Sequence, residues 1–225
     1  MKNNYFLKLA NSFKKIGYRV NYLFKNETER SRDFLELSVC LQLGKLDKFE
    51  EFFYKKYSGG SFVLLVSSAV GNGKLETFLK LEEKAIELKK IHKYYRQIFR
   101  SPSDMKIKYL LDGDFYGTAL TSTMSYDNKD VLEYLVVNKH INLFEIGSEH
   151  ILEASNRGSI TVLNYLLYDL KFKPTNSLME MLRCDKDGVN HTDTLALIEK
   201  RDLLFQLGHE LNKVSTTNKS KPKKI

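Results

Sequence analysis

Between Leu35 and Leu167 one pattern of apolar and polar positions recurs: a run of small and apolar residues, a Gly or Asn, then bulky apolar residues at i, i+3 and i+4. Four copies align on positions 44, 73, 128 and 158, and the gap between the second and third is close to twice the others. That gap holds either an insertion or a divergent copy. Each copy predicts two helices joined by a tight turn. The second helices carry the stripes Phe49, Phe52, Phe53; Leu75, Phe78, Leu79; Val131, Tyr134, Leu135; and Leu163, Leu166, Leu167. The turn Gly or Asn is placed to take the left-handed conformation that ends one helix, and the small residues before it (Ser67, Ser68, Ala69; Ala154, Ser155) let helices approach closely. One such pair cannot bury its apolar face alone, so the unit repeats and each pair covers the next.

The flanks follow the same periodicity. Tyr5 to Phe24 puts Phe6, Leu9, Ala10 and Phe13 on one face, so residues 1–33 are expected to form a basic amphipathic capping helix. Such a helix could also lie on a membrane surface or bind a partner. Leu81 to Arg100 reads as a longer charged helix, stopped at Ser101 and Pro102, inside a basic insertion or divergent repeat spanning 81–108. A last helix pair, Leu178–Cys184 and Thr194–Leu204, flanks an Asp185–Asn190 loop, with Leu207 to Leu211 expected to close the stack. Residues 34–211 thus read as one repeat array, and 212–225, without apolar periodicity, as a disordered basic tail.

Two stretches resemble the ankyrin repeat. Asp114, Phe115, Tyr116, Gly117, Thr118, Ala119 and Leu120 are similar to the family's turn and first-helix opening, and Asn128 to Leu135 to its second-helix signature. Ala119 stands where the family usually has Pro, and Thr121 where it has His. The resemblance implies an all-α helical-repeat solenoid of ankyrin-like helix-turn-helix pairs with short or degenerate hairpins. It also implies recognition without chemistry: a protein–protein interaction scaffold contacting a macromolecular partner through turn tips and the first-helix face. On the best-matching copy these positions are Asp112, Asp114, Phe115, Tyr116, Thr121 and Tyr126.

Composition and charge add one rival. The net charge is +8, but the excess sits in residues 1–32, 82–108 and 212–225, leaving the remainder acidic. These are local patches, not one basic surface. Lys89, Lys93, Arg96 and Arg100 recur at four, three and four residues, form one helical stripe with Lys90 beside it, and are interleaved with Tyr94, Tyr95 and Phe99. This stripe suits nucleic-acid phosphates or an acidic protein, and with the basic tail it supplies the alternative function of nucleic-acid binding.

Catalytic and metal motifs do not assemble. Gly71, Asn72, Gly73 and Lys74 suggest a phosphate loop, but Ser68 and Leu75 occupy the places of its first Gly and its hydroxyl residue. The Asp185–Asn190 loop has Ala196 where a calcium loop needs its closing Glu. The five histidines show no metalloprotease spacing, and His150, at a first-helix position, is expected to serve helix packing or turn hydrogen bonding. Cys40 and Cys184 lack partners in sequence, which points to a reducing compartment. No enzyme activity, cofactor or metal is therefore expected. The longest apolar run, Phe62 to Val70, is too short to cross a bilayer. Nothing near the N-terminus has a signal peptide's pattern, so the expected location is cytoplasmic, with a nuclear site or export into another cell's cytosol as alternatives.

Overall fold

Gly44, Gly73 and Gly158 have φ of 65°, 80° and 65°, and each is followed two residues later by the start of a new helix. The left-handed turn costs glycine nothing and reverses the chain. In the third copy the left-handed residue is Asp127, with φ 52°, one position earlier than the sequence suggested. Asn128 instead caps the next helix, its Oδ1 accepting from Val131 N at 3.2 Å. All four turns therefore share one register. In three of them the amide after the left-handed residue reaches back five residues: Lys45 N to Cys40 O, Asn128 N to Thr123 O and Ser159 N to Ala154 O, at 2.8, 3.2 and 2.8 Å.

This computed structural model describes residues 27–56, 62–99, 114–141, 147–184 and 191–219. The regular structure among them is entirely helical. In chain order the elements are α1 (Glu27–Gln42), α2 (Leu46–Lys56), α3 (Phe62–Gly71), α4 (Leu75–Phe99), α5 (Asp114–Tyr126), α6 (Lys129–Asn138), α7 (Ser148–Arg157), α8 (Ile160–Asn164, prolonged by a π turn over Tyr165–Asp169), α9 (Asn176–Arg183) and α10 (Thr192–Lys219). None is long and apolar enough to cross a membrane. Most of the expected capping helix lies outside the described residues, and α1 begins at Glu27, across the expected boundary at 33.

The chain divides into two compact units, 1–140 and 141–225. In the first, α1 packs on α2, α3 on α4 and α5 on α6, and the first helices pack in the order α1, α3, α5. Leu37, Leu41, Phe49, Phe53, Leu65, Val66, Phe78, Met124, Leu132 and Leu135 are fully buried between the layers. Each such side chain stabilises the fold by roughly 1.5–3 kcal/mol before ordering costs. The Leu75 stripe differs from its expected form, since Leu79 is exposed and Phe78 is continued by Leu81, Ala85 and Leu88. This spacing follows from α4 being one uninterrupted helix that takes in the charged stretch to Phe99.

In the second unit, α7 and α8 form one pair, and α9 and α10 pack on them. Ile151, Ala154, Val162, Leu163, Leu166, Leu167, Leu178 and Ile198 fill the core. The π turn closes with Leu170 N donating to Tyr165 O and Phe172 N to Leu166 O. The last pair matches its expected limits within two residues, but its ending does not. Leu207 and Leu211 are 56% and 70% exposed and close nothing, because every residue of α10 from Asp202 to Asn212 is exposed. The helical backbone also continues to Lys219, into the stretch read as a disordered tail. Extending a helix already nucleated costs far less than starting one, so weak helix formers can be carried along.

Candidate functional site

Two kinds of junction hold the first unit's helix pairs together. Between first helices, Ser38 Oγ meets Ser68 Oγ at 2.6 Å and Ser67 Oγ meets Ser122 Oγ at 3.1 Å. Asparagine amides finish the preceding helix ends: Asn72 Nδ2 donates to Gln42 O at 3.0 Å and Asn128 Nδ2 to Val70 O at 2.8 Å. Between second helices the junctions are ionic. Lys80 Nζ bridges Glu50 and Glu83 at 2.8 and 3.0 Å, while Lys84 Nζ lies 3.4 Å from both Glu50 and Glu87 and over the Tyr54 ring. The Tyr54 hydroxyl donates to Glu87.

The most concentrated group joins α4, α5 and α6. Glu82 is 5% exposed. Its carboxylate accepts from Tyr116 Oη at 2.5 Å, Tyr134 Oη at 2.6 Å and Lys139 Nζ at 2.7 Å. Lys139 also sits over both tyrosine rings, at 5.4 and 5.3 Å. Burial pushes the Glu82 carboxyl up, but the bonds from Lys139, Tyr116 and Tyr134 outweigh it and hold the group below its ordinary value of 4.5. Burial pulls Lys139 down, and Glu82 with the two tyrosines more than reverses that. Tyr116 is pushed up to about 12 by burial and by Glu82, and Tyr134 is raised for the same reasons. All four groups keep one charge state around neutral pH, so the cluster neither gives nor takes a proton there. Its chemistry is that of a clasp.

The second unit has a neutral counterpart. Ser155 Oγ lies 2.7 Å from both His191 Nδ1 and Thr194 Oγ1, and all three residues are buried. A serine beside a histidine invites a nucleophile reading, but Ser155 is only 5% exposed, closed to an incoming carbonyl, and joins α7 to α10. His150 packs on α7, its Nδ1 buried without a hydrogen-bond partner and its pKa lowered by burial. A cavity of about 390 Å³ is lined by residues of α9 and α10 with Pro174. Its buried cation, Arg201, is already held by Asp202 and the Phe172 carbonyl. Among the described residues no group of His, Cys, Asp or Glu is arranged to hold a metal. The Gly71–Lys74 segment is the turn between α3 and α4.

The expected partner-contact positions scatter. Asp112 lies outside the described residues, and Asp114 opens α5 without a described side chain. Phe115 is not a projecting tip: it is 2% exposed, its ring centroid 5.9 Å from Phe62 and 5.8 Å from Phe78. The reason is that α5 begins at Asp114, so Phe115 joins the buried arc with Ala119 instead of occupying a loop. Tyr116 is engaged by Glu82. Thr121 is exposed on α5, and Tyr126 is 53% exposed with its ring against Gly71. Of the basic stripe, Lys89 is exposed; Lys90, Lys93 and Arg96 ride the α4 backbone without described side chains, and Arg100 lies outside the described residues.

Sequence reasoning missed Glu82, because its partners lie 34, 52 and 57 residues further along the chain. It named the first-helix face as a contact surface, but not the apolar residues which that face carries in the first two copies. Leu35, Val39 and Leu43 at α1, and Val63 and Leu64 on α3, are between 42% and 58% exposed. Leu35 and Leu64 lie one turn before Ser38 and Ser67, and Ser125 one turn after Ser122, so the uncovered arcs adjoin the serine seams. No family model, curated protein or solved structure matches the chain.

Proposed function

We propose that the chain is a non-catalytic scaffold whose first unit, an ankyrin-like stack of helix pairs, binds another protein across the open face of α1, α3 and α5. The observation that carries this reading is the row of exposed apolar side chains, Leu35, Val39, Leu43, Val63 and Leu64, on helices pinned to one another by serine and asparagine contacts. A patch of this kind, continued by Thr121 and Tyr126, offers an apolar centre with a polar edge. The common register of the four turns supports the repeat reading. Tyr126 and Thr121 remain contact residues; Phe115 and Tyr116 act in the interior. The charge-locked clasp at Glu82 supports a structural role for the buried ionic groups.

The test is capture from nuclease-treated and untreated lysate at low and high salt, with the wild type and a Leu35→Asp, Leu64→Asp variant. A stoichiometric protein that survives nuclease and moderate salt and is lost in the variant is the expected result. Retention of nucleic acid alone, lost as salt rises, would transfer the function to the 89–100 stripe. Equal capture by wild type and variant would remove this face.

A further inference from the structure

The cavity between α9 and α10 brings charged side chains of both signs together: Glu180 and Arg183 from α9, Arg201 and Asp202 from α10. Its volume of about 390 Å³ lies at the small end of the range for ligand pockets. Arg201 is its fixed point. The residue is 6% exposed; its Nε and Nη2 donate to Asp202 Oδ1 at 3.0 and 2.5 Å, its Nη1 donates to the Phe172 carbonyl, and the guanidinium lies over the Phe205 ring. Three of the five guanidinium N–H groups are thus taken, and the other two have no acceptor among the described residues. Glu180 and Arg183 are exposed and stand one turn apart on one helix, in the order that favours an ion pair. Neither side chain has a partner among the described residues. The cavity therefore presents donors and an acceptor that the protein does not use on itself, beside an apolar wall of Met179 and Ile198.

We propose that this cavity binds a free α-amino acid with an apolar side chain. Its carboxylate is held by Arg183 and the open N–H groups of Arg201, its ammonium by Glu180, and its side chain rests against Met179 and Ile198. Charge decides the class of ligand. With two guanidiniums and two carboxylates the lining is neutral as a whole, so a phosphate or sulfate would gain from the arginines and be repelled by Glu180 and Asp202, and a simple cation the reverse. A zwitterion meets an opposite charge at each end. Size decides the rest, because the cavity has room for one amino acid but not for a folded peptide. Arg201 adds preorganisation: it is already ordered by Asp202, the Phe172 carbonyl and the Phe205 ring, so little freedom is lost when a carboxylate arrives. The site lies wholly in the second unit and does not depend on the open face of the first.

Isothermal titration of the full chain with L-leucine and L-methionine tests this, with equilibrium dialysis as a second readout and circular dichroism confirming that each variant folds. We expect saturable binding of one molecule per chain at millimolar amino acid or below. N-acetyl-L-leucine, which lacks the ammonium, and L-leucinamide, which lacks the carboxylate, should each bind at least roughly tenfold more weakly than leucine. Glu180→Gln should weaken leucine by a similar factor and leave N-acetyl-L-leucine unchanged. Arg183→Gln should weaken both of these but not L-leucinamide. A merely structural role of either residue would not sort the three ligands in this way. Absence of binding by both methods at millimolar amino acid would overturn the proposal, as would binding indifferent to both variants. Inorganic phosphate binding as tightly as leucine would overturn it in favour of a plain anion site.

Discussion

The two layers of the first unit are built from different chemistry. First helices meet through Ser38, Ser67, Ser68 and Ser122, small neutral groups that let backbones come close. Second helices meet through Glu50, Lys80, Lys84, Glu82 and Lys139, long side chains that span a wider gap and carry charge. The difference shows how a helix stack keeps one side open. Short hydroxyls hold the first helices without covering their outer arcs, whereas the ionic layer consumes its polar groups internally. The second unit follows the neutral rule at Ser155 and Thr194.

The strongest way to break this contrast is to attack the ionic layer at its buried centre. Lys139→Met leaves the Glu82 carboxylate with the two tyrosines alone, and we expect a loss of about 3 kcal/mol in denaturant unfolding against a smaller loss for Glu82→Gln. The pH dependence sharpens it. Because Glu82 is held below 4.5 in the folded chain, its contribution is present above that value and disappears as pH falls through the folded pKa. Glu82→Gln should remove this part of the acid-side slope. An unchanged slope would mean that the clasp is not what acid titrates.

The neutral layer should respond less and with a different signature. Ser38→Ala or Ser68→Ala alone strands a buried hydroxyl and should cost about 1 kcal/mol, whereas the double replacement should cost less than the sum. Additive losses would show that the two hydroxyls do not depend on each other. The smallest effect is at the turns. Asp127 holds a left-handed conformation that the other copies give to glycine, so Asp127→Gly relieves the backbone while removing the side chain and should change stability by no more than about 1 kcal/mol. A clear loss of thermal stability would show that the Asp side chain has a role of its own.

What could be read in advance follows the range of each interaction. Gly44, Gly73 and Gly158 announce their turns because the backbone needs glycine at that place. Asn128 misleads by one residue, since asparagine suits both a left-handed position and a helix start, and only the fold shows that Asp127 takes the first role. The resemblance places Phe115 in a loop opening, whereas in the fold it lies one helical turn before Ala119 on the buried arc of α5. The clasp was illegible, because a glutamate in a charged helix looks the same whether it faces water or two tyrosines. The exposed leucines of α10 read as core for a similar reason: periodicity finds an apolar stripe but not what lies against it.

The asparagine contacts carry a consequence for how the chain is made. The carbonyl at Gln42 is closed by Asn72, and that at Val70 by Asn128, so each helix end is completed by residues that leave the ribosome later. At both junctions the later copy therefore supplies the donor and the earlier one the acceptor, so each contact ties a helix end to sequence that lies further along the chain.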